Sequence, residues 1–242
     1  MTKDIRVACW AGIAGTLFGV LAILLTGTPG SPFPMWEWPT QNIYAYFNDA
    51  NPLAVRAQYF LIGTGITLMP FFAAGLTQVL RQGTRTTVYT RMLVPCTAAV
   101  SVILLAGNAI WWVAAERHFS PEATRFAVEV VAVWMLHPTA FFMALVTFCA
   151  GMAMRDCPFI PRWLAHITLT VALWCAASVF LVLATEGWLS PFHWASMAFY
   201  AAYLGWGTLT GTVLQLISLP GKNTPHPQAP APNAPTPPGR RS

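Results

Sequence analysis

Six stretches of the chain are apolar for long enough to cross a hydrocarbon core: Val7 to Leu25, Ala54 to Leu80, Met92 to Ala115, Phe126 to Met154, Trp163 to Ala184 and His193 to Leu219. About 20 consecutive apolar residues make one helical crossing. The pattern therefore predicts an all-α, polytopic membrane bundle of six transmembrane helices. The fourth and fifth stretches form a hairpin around the short turn from Arg155 to Arg162. Thr26 to Leu53 is the longest connection, with Pro29, Pro32, Pro34 and Pro39 around Trp36 and Trp38. Within it, Gln41 to Ala50, carrying Ile43, Tyr44, Tyr46 and Phe47, reads as a short amphipathic helix anchored at a membrane interface, with a lid over an outward-facing cavity as the second reading.

Lys3 and Arg6 precede the first stretch, as in a secretory signal. The apolar run is too long for a signal, and Thr26-Gly27-Thr28-Pro29 has no small-x-small cleavage pattern, so it is read as a retained helix. After Leu219 the composition changes abruptly. Residues 220–242 hold eight prolines in 23 residues and almost no apolar side chain, which predicts a disordered cytoplasmic tail beside a transmembrane domain of residues 1–219.

Charge sets the expected orientation. Only 9% of residues are charged, against roughly 25% in an average soluble domain. With the N-terminus in the cytoplasm, Lys3, Arg6, Arg81, Arg85, Arg91, Arg155, Arg162, Lys222, Arg240 and Arg241 lie inside, and Arg56, Arg117 and Arg125 outside. Basic residues favour the cytoplasmic flank, so both termini are expected to be cytoplasmic. The net charge of +5 is then a mark of topology and of attraction to anionic lipid, and no nucleic-acid partner follows from it. Cys9, Cys96, Cys149, Cys157 and Cys175 form no Cys-x-x-Cys pair and are expected as free, buried thiols.

Several residues interrupt the apolar runs. Gly15 and Gly19, and again Gly207 and Gly211, stand four apart, which permits close helix approach, either within the bundle or between two copies of the chain. Pro70 should leave the Ile66 carbonyl without its helical donor, and Asn108 should hydrogen-bond to a neighbouring helix. Glu122, Arg125 and Glu129 share one helix face, and His137-Pro138 should break the fourth helix near the Trp134 carbonyl.

The turn Phe159-Ile160-Pro161-Arg162-Trp163-Leu164 resembles the Leu-Pro-Arg-Trp-Leu segment of a broad group of bacterial six-helix membrane proteins known only as domains of unknown function. Arg6 to Phe18 and Tyr44 to Leu80 are similar to the same group. The resemblance implies six helices and a bacterial inner membrane. It carries no catalytic residues.

Under this topology Arg56, Gln58, Asn108, Glu116, His118, Glu129, Glu186 and His193 lie toward the outer side, with His137 deeper. The leading expectation is a non-enzymatic membrane protein with an outward-facing polar pocket for a small or amphipathic ligand, its candidate residues being Arg56, Gln58, Asn108, Glu129 and His137. Membrane lipids, and a second copy or another membrane protein, are the partners considered. A scaffold subunit of a larger assembly is one alternative. A metal-dependent enzyme is another, through Glu129, His137 and His193 or His118, but no His-x-x-x-His or Glu-x-x-His spacing preassembles a site and no nucleophile motif occurs. Neither metal nor cofactor is expected.

Overall fold

The computed structural model describes residues 3–26, 38–48, 52–83, 87–117, 119–131, 135, 137–180 and 194–217. Among them all regular structure is helical: α1 (Lys3–Thr26), α2 (Thr40–Asn48), α3 (Pro52–Gly83), α4 (Val88–Arg117), α5 (Pro121–Glu129), α6 (His137–Arg155), α7 (Arg162–Ser178) and α8 (Trp194–Leu216). The segments Ile5–Ala22, Leu53–Gly83, Val88–Arg117 and Pro138–Arg155 are long and apolar enough to cross a membrane. Val7, Leu24, Phe60, Val102 and Phe141 stand uncovered on the outer faces of these helices. Water would penalise such a surface and hydrocarbon would not. The expected proline-rich tail and most of the loop before α2 lie outside the described residues.

The long helices close a ring in which α1 touches α3, α3 touches α4, α4 touches α6, α6 touches α7, α7 touches α8, and α8 returns to α1. Neighbours run antiparallel. On α3, Gly65 lies beside Gly15 and Phe72 beside Gly12. On α8, the Leu204 carbonyl accepts from the Thr16 hydroxyl (2.9 Å) and Gln215 donates to the Arg6 carbonyl (3.2 Å). The start of α1 and the end of α8 therefore share one end of the ring. At the opposite end, α2 and α5 pack on each other and on α4 as a cross-layer.

Helix α2 lies where the amphipathic pattern placed it. Its buried residues are Ile43 and Phe47, one turn apart, while Gln41 and Asn42 face outward. The helix starts from Pro39, whose carbonyl accepts from the Asn42 and Ile43 amides. Ser120 starts α5 by accepting the Ala123 amide on its hydroxyl (3.3 Å), with Pro121 in the first turn, where a missing N–H costs nothing.

The segment Phe126 to Met154, expected as one span, is divided. The regular turns of α5 end at Glu129 and those of α6 begin at His137, with wide, π-type backbone at Val130, Val131 and Met135. Pro138 supplies no N–H to the turn before it and its ring crowds the carbonyl four residues back, so disruption extends toward the N-terminus. The Thr139 hydroxyl donates to the Met135 carbonyl at this break.

Two apolar clusters result. The larger gathers Ile5, Cys9, Leu76, Leu80, Leu93, Met154, Leu164 and Leu214 toward the α6–α7 turn. The smaller gathers Ile43, Phe47, Val55, Tyr59, Trp111, Val128 and Val131 beneath the cross-layer. All five cysteines are buried free thiols. At the α6–α7 turn burial pushes the Cys157 thiol up, against the opposing pull of the Phe159 and Ile160 amides.

Close backbone approach at one point has a measurable consequence. A methyl group on Gly65 would sit 2.8 Å from the Gly15 carbonyl oxygen, whereas one on Gly205 would meet nothing within 4 Å. Gly65→Ala is expected to destabilise the fold by about 1–3 kcal/mol through overpacking, and Gly205→Ala to stabilise it by up to about 1 kcal/mol. Thermal unfolding in detergent checks both signs.

Candidate functional site

Between the two clusters the ring is incompletely filled. Glycines at 15, 19, 65 and 107 contribute no side chains there, and a cavity of about 180 Å³ remains. Met69, Val100 and Met143 form its floor, and Trp111 and Val131 its roof. Tyr200, Tyr203 and Leu204 close the side toward α8. The cavity follows α4 from Val100 to Trp111, about 16 Å of helix at 1.5 Å per residue.

Two of the polar side chains on this wall join helices. The Ser101 hydroxyl donates to the Ile66 carbonyl (3.2 Å), the very carbonyl that Pro70 cannot serve. One Asn108 amide N–H donates to the Tyr59 carbonyl on α3 (3.1 Å), the interhelical bond expected from the sequence. No charged side chain lines the cavity among the described residues.

Two ion pairs stand at the cross-layer end instead. Arg56 on α3 meets Glu116 on α4 through two parallel contacts, Nε to Oε1 at 2.6 Å and Nη2 to Oε2 at 3.0 Å. Such fork-to-carboxylate pairing fixes both planes. Arg125 chooses Glu129 of its two expected carboxylate partners (2.9 Å) and also donates to the Trp38 carbonyl and the Thr40 hydroxyl, each at 3.3 Å. That guanidinium ties α5 to the entrance of α2.

Of the residues singled out from the sequence, Asn108 stands on the cavity wall. Gln58 is 4% exposed, next to the Tyr59 that receives the Asn108 bond, but is not a lining residue. Arg56 and Glu129 sit in their ion pairs away from the wall. His137 opens α6 with its side chain outside the described residues, and His118, Glu186 and His193 lie outside them altogether. Among the described residues no three His, Cys, Asp or Glu side chains gather as metal ligands would.

Ser101, Leu104 and Gly107 complete a stripe that the sequence reading did not extract. With Val100, Asn108 and Trp111 they recur at the three- and four-residue spacing that shares one helix face, so the signal was present in α4. The tyrosines of α8 carried no comparable signal. Fold and cavity together define a helical bundle with an internal apolar chamber. Compared with known protein families, with well-described proteins and with solved structures, the chain matches none.

Within the cross-layer Arg125 makes three polar contacts, one to Glu129 on its own helix and two that join α5 to the start of α2. Arg125→Ala is expected to raise amide hydrogen exchange in α2 and α5 while leaving α1 and the α6–α7 turn protected. Mass-resolved exchange of the purified protein measures this.

Proposed function

We propose that the chain is a six-span integral protein of a bacterial inner membrane, with both termini cytoplasmic, and that its bundle holds a small amphipathic ligand without transforming it. In this reading α1, α3, α4, α6, α7 and α8 are the six passes, and the cross-layer of α2 and α5 lies at the outer interface. Alternation of helix direction supports it, as does the Gln215–Arg6 bond that puts both ends of the ring on one side. So does charge: Lys3, Arg6, Arg81, Arg91, Arg155 and Arg162 belong to that side, and Arg56, Arg117 and Arg125 to the other. The likeness of the Pro161-Arg162-Trp163-Leu164 turn to bacterial six-helix proteins agrees with the same arrangement.

The observation that carries ligand binding is the chamber itself. Interiors are normally close-packed. A half-open recess of about 180 Å³ with an apolar lining is suited to an occupant with an apolar body. Asn108 adds one polar group to the otherwise apolar wall, which suits a ligand with both characters.

Native mass spectrometry of gently extracted protein tests the reading. Wild type should retain an adduct of defined mass, and Leu104→Trp, whose indole fills the chamber, should lose it. Bare wild-type protein, or adducts indifferent to Leu104→Trp, would overturn ligand binding. Orientation is tested separately: a cysteine at Gln41 should react with membrane-impermeant maleimide added to intact cells, and one at Asp156 should not.

A further inference from the structure

We propose that the occupant is an alkylated phenol or quinone, a neutral six-membered ring bearing oxygen, with its apolar tail leading out of the bundle. This rests on the chamber being a ligand site and adds the chemical class of the ligand.

Size is the first constraint. A buried apolar cavity of about 150 Å³ holds one benzene. A chamber of about 180 Å³ therefore takes one ring and not a whole lipid, and because it is not sealed, a chain can continue from it. Charge is the second. A carboxylate or phosphate in this chamber would have no cationic side chain on the wall among the described residues, and an uncompensated charge in an apolar enclosure is strongly disfavoured. The described wall thus favours a neutral head.

Asn108 supplies the third constraint. One of its amide N–H groups is committed to the Tyr59 carbonyl. Its second N–H and its Oδ1 have no partner among the described residues, and the side chain stands on the chamber wall. A single amide thus offers a donor to a quinone carbonyl and an acceptor to a phenol or quinol O–H. A plain acyl chain would leave both unmet. The walls also suit a flat ring. Gly107 beside Asn108, and Gly15 and Gly65 across from it, present backbone without side chains, while the thioethers of Met69 and Met143 favour contact with a ring edge.

The test compares 4-decylphenol with decylbenzene, which share ring and tail and differ only in the oxygen, by calorimetric titration of the full-length protein in detergent against a micelle blank. The phenol should bind once per chain and about tenfold more tightly than decylbenzene, the effect of one net hydrogen bond. Asn108→Leu should reduce that preference to about onefold. Should Asn108→Leu fail to fold, the wild-type comparison decides alone. Equal affinity of the two probes for wild type overturns recognition of the ring oxygen and leaves a purely apolar ligand site. Binding of neither overturns the ligand site as well.

Discussion

The backbones of α1 and α3 meet at Gly15 and Gly65 with no side chain between them, and the close approach of these two helices depends on that contact. In an apolar surrounding, helices gain nothing from hiding from solvent, so close van der Waals contact and interhelical hydrogen bonds must hold them. Gly211 repeats the device on the other flank of α1, where an added methyl would stand 2.8 Å from the Cys9 carbonyl oxygen. Hydrogen bonds from Thr16, Gln215, Ser101 and Asn108 to carbonyls of neighbouring helices complete the fastening. Helix α1 thus lies between α3 and α8 at distances that a bulkier sequence could not reach.

The same economy of side chains opens the chamber. Gly15 and Gly65 bring backbones together on one line beside the chamber, and Gly107 lines it opposite them, against the side chains of Val131 and Met135. Filling is restored below by Met143, Met154 and Leu164, and above by Trp111, Phe47 and Val128. Packing and void are two consequences of one choice of small residues. The buried bond from the Trp206 indole to the Thr168 hydroxyl (2.9 Å), which in turn donates to the Leu164 carbonyl (2.7 Å), locks α7 and α8 below the chamber floor.

Helix-forming segments were legible because an apolar run long enough to span a bilayer leaves few other structures open to it. Local chemistry was legible too. The proline at 70 implied a free carbonyl at Ile66, the amide at 108 implied a bond across helices, and the facing apolar residues of α2 implied its buried side. What escaped the sequence is long-range. Arg56 and Glu116 are 60 residues apart and nothing local announces their pairing. The chamber is assembled from single turns of several helices, each ordinary alone, so its existence depends on a register between helices that periodicity does not encode. The extent of the break before Pro138 depends likewise on how α5 is drawn toward α2, a tertiary pull acting on a locally weakened turn.

The seam between α1 and α8 gives the molecule an order of completion. The Thr16 hydroxyl waits for a carbonyl 188 residues further along the chain, which at 5–20 residues per second leaves the ribosome roughly 10 to 40 s later. Until then the face of α1 that carries Thr16 and Gly19 has no α8 beside it, and the side of the chamber formed by Tyr200 to Leu204 does not exist. Synthesis of the final helix is therefore the event that turns a row of inserted segments into a vessel. A chain cut short before that point would hold its glycines but enclose nothing.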